Sequence, residues 1–109
     1  MPLTAEQQIS VQELKRRFGE PDPPTVLDVR EPSEYRYCNI GGIHMPLALL
    51  PLRLQDLDRG KEYAVLCHHG TRSYQATMFL LKSGFSRVRN VSGGIDAWSA
   101  VVDRAVARY

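Results

Sequence analysis

Cysteine is scarce: Cys38 and Cys67 are the only two in 109 residues. That count cannot build the disulfide framework of a small secreted domain. Long apolar runs are also missing. The best, Leu47 to Leu50, stops at Pro51, so no segment reads as a membrane span. The opening residues, Met1 to Gln8, lack the basic start and apolar stretch of a secretory signal. Together these absences lead us to expect reduced thiols and a cytoplasmic location. A strong excess of one charge is absent too. Fourteen Lys and Arg against twelve Asp and Glu leave a formal net charge of +2. The basic residues are dispersed, and Lys15-Arg16-Arg17 suits a helix end, where cations face the terminal carbonyls. No nucleic-acid partner is expected.

What is present reads as an ordinary globular chain, 43% hydrophobic and 24% charged. Its length suits one domain over residues 1–109, without repeats or linkers. Ser10 and Glu13 have the spacing of a capping box, with Ile9 and Leu14 as a hydrophobic staple. Val11, Leu14 and Phe18 then share one helical face, and Gly19 supplies the stop. After the Pro21 to Pro24 turn, residues 25–29 read as a buried strand. A helical turn is expected near Tyr35, and the glycines between Ile40 and Pro46 preclude a long element. Pro51 is placed to open a short helix, with Leu54 and Leu57 inward. A strand at 63–66, a helix ending at Gly84, a strand at 88–91 and a helix through Ala97, Trp98 and Val101 complete the chain. Strands alternating with helices argue for an α/β fold, a parallel sheet covered on both faces. In such sheets reactive groups lie beyond the carboxyl ends of strands, here after Asp28 and after Leu66.

The second of these loops carries the chemistry. Cys67-His68-His69-Gly70-Thr71-Arg72-Ser73 runs from a strand end into a helix whose apolar face includes Ala76, Phe79 and Leu80. Such a loop can turn several backbone N–H groups inward, and the helix dipole adds positive potential. Gly70 allows the backbone angles of a tight cradle, and Arg72 offers a permanent charge with several donors for an oxyanion. These features should favour a nucleophilic thiolate at Cys67 and bind an anionic substrate such as thiosulfate. A buried cysteine that merely ends a strand is the bland alternative, and Gly and Arg at this spacing argue against it. His68 and His69 either contact the bound anion or are exposed loop residues. No Cys or His cluster has the spacing of a zinc site, and His44 is remote in sequence, so no metal is expected.

Four segments in this order resemble the rhodanese family. Leu27-Asp28-Val29-Arg30-Glu31 with Glu34-Tyr35 is similar to its first segment, and Ile40 to Leu47 to the stretch that follows. Cys67 to Ser73 resembles its active-site loop, and Gly93-Gly94-Ile95-Asp96-Ala97-Trp98 its closing motif. The resemblance implies a rhodanese-like fold, a central parallel sheet of about five short strands flanked by helices. It implies a persulfide on Cys67, with no separate cofactor, loaded by a donor such as thiosulfate and discharged to a thiol, cyanide or a protein acceptor. The tail after Trp98, ending in Val102 to Tyr109, resembles rhodanese modules fused to adenylyltransferases of sulfur-cofactor pathways, which makes a sulfur-relay or partner-binding role the alternative. Cys38-Asn39 departs from the family's Gly-His, and the stretch from Gly42 to Pro46 is one residue short. Cys38 is either a resolving thiol or a packed side chain, more readily the latter.

Asp28 and Arg30, two apart on a strand, face one side. They either support the site from behind or form an ion pair that braces the next loop. Gly93, Gly94 and Trp98 suit a turn and a core anchor, with Ile95 at the rim. A phosphatase or arsenate reductase is a further reading, since related folds hold oxyanions in Cys-to-Arg loops. With four residues between Cys67 and Arg72, this loop is one shorter than those, and should fit sulfur while crowding a phosphoryl group.

Overall fold

The structure, a computed structural model, describes residues 2–109. Five parallel strands form one sheet in the order β1-β5-β4-β2-β3. They are β1 (Gln8–Ile9), β2 (Thr25–Asp28), β3 (Ile43–His44), β4 (Tyr63–Leu66) and β5 (Val88–Val91). Three helices connect strands, α1 (Val11–Phe18), α2 (Pro32–Tyr37) and α3 (Thr71–Lys82), and a fourth, α4 (Gly94–Ala97), follows β5 and continues as a wider helical turn over Trp98–Val102. No helix among the described residues is long and apolar enough to cross a membrane.

Alternation along the strands divides the core between the two faces. Leu27, Val65 and Val88 pack with Ala76 and Leu80 of α3 and with Leu50 and Leu57. Val26, Ala64, Leu66 and Val91 pack on the other side with Leu14 of α1, Ile95 and Trp98. Central β4 is buried along its whole length, as expected of a strand covered on both faces.

Several local expectations need correction. Ser10 caps α1 by accepting from the Glu13 N–H at 3.1 Å, but no capping box closes. The Glu13 carboxylate is drawn instead toward Arg89, 3.2 Å away. Pro51 opens no helix: it lies between two 3-10 turns, Leu47–Leu49 and Leu54–Asp56, that bury Leu50 and Leu57. The strand expected over 25–29 ends at Asp28. β1 and β3, two residues each, are too short to show a period of two in the sequence.

Candidate active site

Cys67 is the first residue beyond β4, and the chain from there to Gly70 turns into α3. Gly70 takes φ +104°, the left-handed region in which a side chain is strained. That turn aims the Gly70 N–H at Cys67 Sγ, 3.1 Å away. The Ser73 hydroxyl, on the first turn of α3, reaches the same sulfur at 3.2 Å and also contacts Asn90 Oδ1 of β5. Cys67, Ser73 and Asn90 are all buried, at 1%, 0% and 2% exposure. The sulfur therefore ends a buried line of polar groups running under α3 to β5.

The loop is also held from behind. Gly94, at φ +61°, lies so close that a Cβ there would come within 2.5 Å of the Cys67 carbonyl oxygen. The N–H groups of Ile95 and Asp96 donate to the carbonyls of Cys67 and His68 at 2.9 and 3.0 Å. The Gly93-Gly94 turn is thus part of the cradle, and Ile95 is buried core rather than rim.

Arg72 stands otherwise than the sequence suggests. Its guanidinium does not bond the sulfur; it forms a bidentate pair with Glu34 of α2, at 2.6 and 2.9 Å. Two oppositely charged forks in register make a strong, geometrically fixed pair. The hydrogen bonds from Arg72 hold the Glu34 carboxyl down at about 2. Glu34 in turn raises the Arg72 guanidinium. The charge expected over the loop is committed to α2.

Asp28 and Arg30 are fully buried and paired, with Nη2 2.8 Å from Oδ2 and Nε 3.0 Å from Oδ1. Arg30 also donates to the carbonyl of Cys38 at 2.8 Å and to the Tyr109 hydroxyl at 2.9 Å. This fits the bracing role, since the pair ties the 31–38 segment and the chain's last residue to β2. Cys38 is half-buried and packs on the α1 face, whereas Cys67 belongs to the α3 face. His44 bonds the Arg30 carbonyl at 2.8 Å and stacks on Tyr35.

His68 and His69 flank the cradle differently. The His68 ring lies parallel to Tyr109, with centroids 3.8 Å apart, and its Nε2 is buried with no protein partner. His69 is exposed and covers the other face of His68 at 3.8 Å. One ligand atom from each of His68, His69 and Asp96 lies within 4.8 Å of the others, a cluster that sequence spacing could not reveal. Both Asp96 oxygens already bond Arg108, and the two imidazole planes are tilted by 32° to each other. Thr71 is exposed at the start of α3. Beside the loop a cleft of about 410 Å³ is lined by His69, Gly70, Thr71, Tyr74, Asn90 and Gly93.

Residue-by-residue reading thus missed the parts played by Ser73, Asn90, Glu34 and Tyr109. Asn90 left a trace as a polar residue of Val88-Arg89-Asn90-Val91 on the same side of β5 as Val88. Ser73 lies only six residues from Cys67, whereas the contacts of Glu34 and Tyr109 join segments far apart in the chain.

Comparison with known proteins is consistent across three measures. The family model described as Rhodanese-like domain matches residues 10–101. The chain is 31% identical over 93 residues to a protein of Allochromatium vinosum named Sulfurtransferase, covering 84% of this chain and 87% of that one. It is 30% identical over 124 residues to Adenylyltransferase and sulfurtransferase MOCS3 of Arabidopsis thaliana, covering 98% of this chain but only 27% of that protein. Among solved structures, a rhodanese-related protein from Thermoplasma volcanium superposes with a TM-score of 0.79 at 37% identity, over 86% of this chain and 91% of that one.

Proposed function

The chain belongs to the rhodanese-like domain family, whose members similar to it include named sulfurtransferases, and from that premise we propose that it moves sulfane sulfur as a persulfide on Cys67. The observation that carries this is the setting of Sγ. It lies at the carboxyl end of β4 and in front of the α3 N-terminus, with the Gly70 N–H at 3.1 Å and the Ser73 hydroxyl at 3.2 Å. In the loading half, Cys67 sulfur attacks the outer sulfur of a donor. A new S–S bond forms, the donor's own bond to that sulfur breaks, and its remainder leaves with the electron pair: sulfite from thiosulfate, a thiolate from an alkyl persulfide. In the discharging half, a thiol or cyanide takes the outer sulfur and Cys67 leaves as the thiolate. The Gly70 amide and the α3 dipole face the atom on which negative charge is carried between the halves. No separate cofactor enters either step.

Intact mass measured after incubation with a sulfane donor tests the reading. One added sulfur atom is expected on the wild-type chain, lost on cyanide treatment and absent in Cys67→Ser. Substantial sulfur transfer by a folded Cys67→Ser variant would overturn it, and hydrolysis of a small aryl phosphate would favour the phosphatase reading instead. A relay role is compatible with the same chemistry. Similarity to MOCS3, named an adenylyltransferase and sulfurtransferase, over 98% of this chain supports that role.

A further inference from the structure

The N–H that meets the Cys67 sulfur belongs to the His69–Gly70 peptide. The turn behind the loop anchors the chain just before that peptide, where the N–H groups of Ile95 and Asp96 bond the carbonyls of Cys67 and His68. From His68 onward the contacts are between rings. His69 covers one face of His68 with centroids 3.8 Å apart, and Tyr109 covers the other at 3.8 Å, only 7° from parallel. His68 Nε2 is buried with no partner among the described residues, which leaves the orientation of that ring to its stacking. Tyr109 is itself anchored. Its hydroxyl donates to Glu34 Oε2 at 2.7 Å and accepts from Arg30 Nη1 at 2.9 Å, and Arg30 is held by the buried Asp28. The preceding residue, Arg108, holds Asp96, whose N–H anchors the His68 carbonyl.

From this arrangement, and resting on the sulfur-transfer reading above, we infer that Tyr109 is a positioning residue for the reaction: through the stacked rings of His68 and His69 it holds the Gly70 N–H on the Cys67 sulfur. Its own contacts are with His68, Arg30, Glu34 and Tyr37, so it acts on the sulfur only through the loop. A donor that is already aimed needs no reorganisation as charge develops on sulfur, whereas a loose peptide must first be ordered. With the stack broken, two histidine side chains regain their rotamers, and rotation of the His69–Gly70 peptide away from Sγ meets less resistance. The reaction therefore needs the ring of Tyr109. The hydroxyl serves to anchor that ring and contributes to stability.

Single-turnover loading of Cys67 from thiosulfate, followed by intact mass, gives a limiting rate and a half-saturating concentration. Tyr109→Phe keeps the ring and Tyr109→Leu loses it; both lack the hydroxyl, so both should show a lower urea midpoint. Tyr109→Leu should lower the limiting rate about tenfold and move the half-saturating concentration less than about twofold, as expected when a transition-state contact is misplaced. Tyr109→Phe should keep at least about half of the wild-type rate. A cycle with His68→Ala tests the route: once that ring is gone, Tyr109→Leu should slow loading by less than about a further twofold. In the proton spectrum, His68 ring resonances shifted upfield by the stack should persist in Tyr109→Phe and move downfield in Tyr109→Leu. A folded Tyr109→Leu variant that loads as fast as Tyr109→Phe overturns the inference. So does an undiminished effect of Tyr109→Leu on the His68→Ala background, or a higher half-saturating concentration at an unchanged limiting rate. Should the wild type take up no sulfur on Cys67, the sulfur-transfer reading itself fails, an outcome distinct from a wild type that loads and a Tyr109→Leu variant that loads equally well.

Discussion

A single hydroxyl proton sets the polarity of the line from Cys67 to Asn90. Ser73 Oγ lies within bonding distance of both Cys67 Sγ and Asn90 Oδ1, yet it can donate to only one of them at a time. If the amide of Asn90 presents its NH₂ to Ser73, the serine proton is free for sulfur. If the carbonyl faces Ser73, the proton goes there and the sulfur depends on Gly70 alone. Asn90 Nδ2 donates to Gln8 Oε1 only at a long 3.4 Å, so that bond does not hold the carbonyl on Ser73, and the serine proton can serve the sulfur. We expect Ser73→Ala to slow sulfur loading about tenfold to a hundredfold, the cost of about 1.5–3 kcal/mol for one hydrogen bond to a charged sulfur. Single-turnover loading followed by mass spectrometry checks it, with circular dichroism as the control for folding. An unchanged loading rate in the folded variant would leave Gly70 as the only donor that matters. At this scale Cys67 and Gly70 were readable, because strand end, glycine and helix start lie within a few residues of sequence. Arg72 was readable as a charge but not as half of a pair, since its partner lies 38 residues away.

The elements that shape the cradle differ in how local their signals are. β4 and α3 are long enough to show their pattern, and their junction gives the loop. β1 and β3 are visible only through what they pair with, Asn90 and Val91 for the first and Leu27 and Asp28 for the second. The Gly93-Gly94 turn was readable as a turn, but its contact with the Cys67 loop joins segments well separated in sequence. That contact makes Gly94 a sharper test of the cradle than any residue that touches the sulfur. At φ +61° an alanine is strained, and its Cβ would meet the carbonyl oxygen of Cys67. Gly94→Ala should cost about 1–3 kcal/mol of stability from the backbone alone, readable as a fall in the urea midpoint. Sulfur loading should fall further than that loss explains, because the Ile95 and Asp96 N–H groups must move with the turn and release the loop. A destabilised variant with full loading would separate the turn from the site.

Across the whole molecule, the sheet was readable as parallel and two-faced, but its strand order was not. Nothing in the spacing of elements says that the first strand pairs with the last. The same holds for Glu34, on which α2, α3 and the tail converge. Its carboxylate accepts two hydrogen bonds from Arg72 and one, at 2.7 Å, from the Tyr109 hydroxyl. Burial and the bond to Glu34 push the phenol itself up to about 12, so it remains a donor throughout the neutral range. Because the folded structure holds Glu34 at about 2 against an ordinary 4.5, the unfolded chain binds the proton more readily. The stabilisation is therefore present above about pH 4.5 and is lost as pH falls through that value toward about 2. Its size is of the order of 1–3 kcal/mol, below the full value of the shift because the carboxylate is partly solvated. Asp96 and Glu62 are also held low by arginines and lose stabilisation in acid, so the wild-type curve alone does not isolate Glu34. The difference between wild type and Glu34→Gln does. Urea midpoints should lie apart at pH 7 and converge as the pH is lowered, the wild type falling and the variant following a shallower course. Parallel curves would mean that the three segments are held together by packing, with the Glu34 charge contributing nothing to their stability.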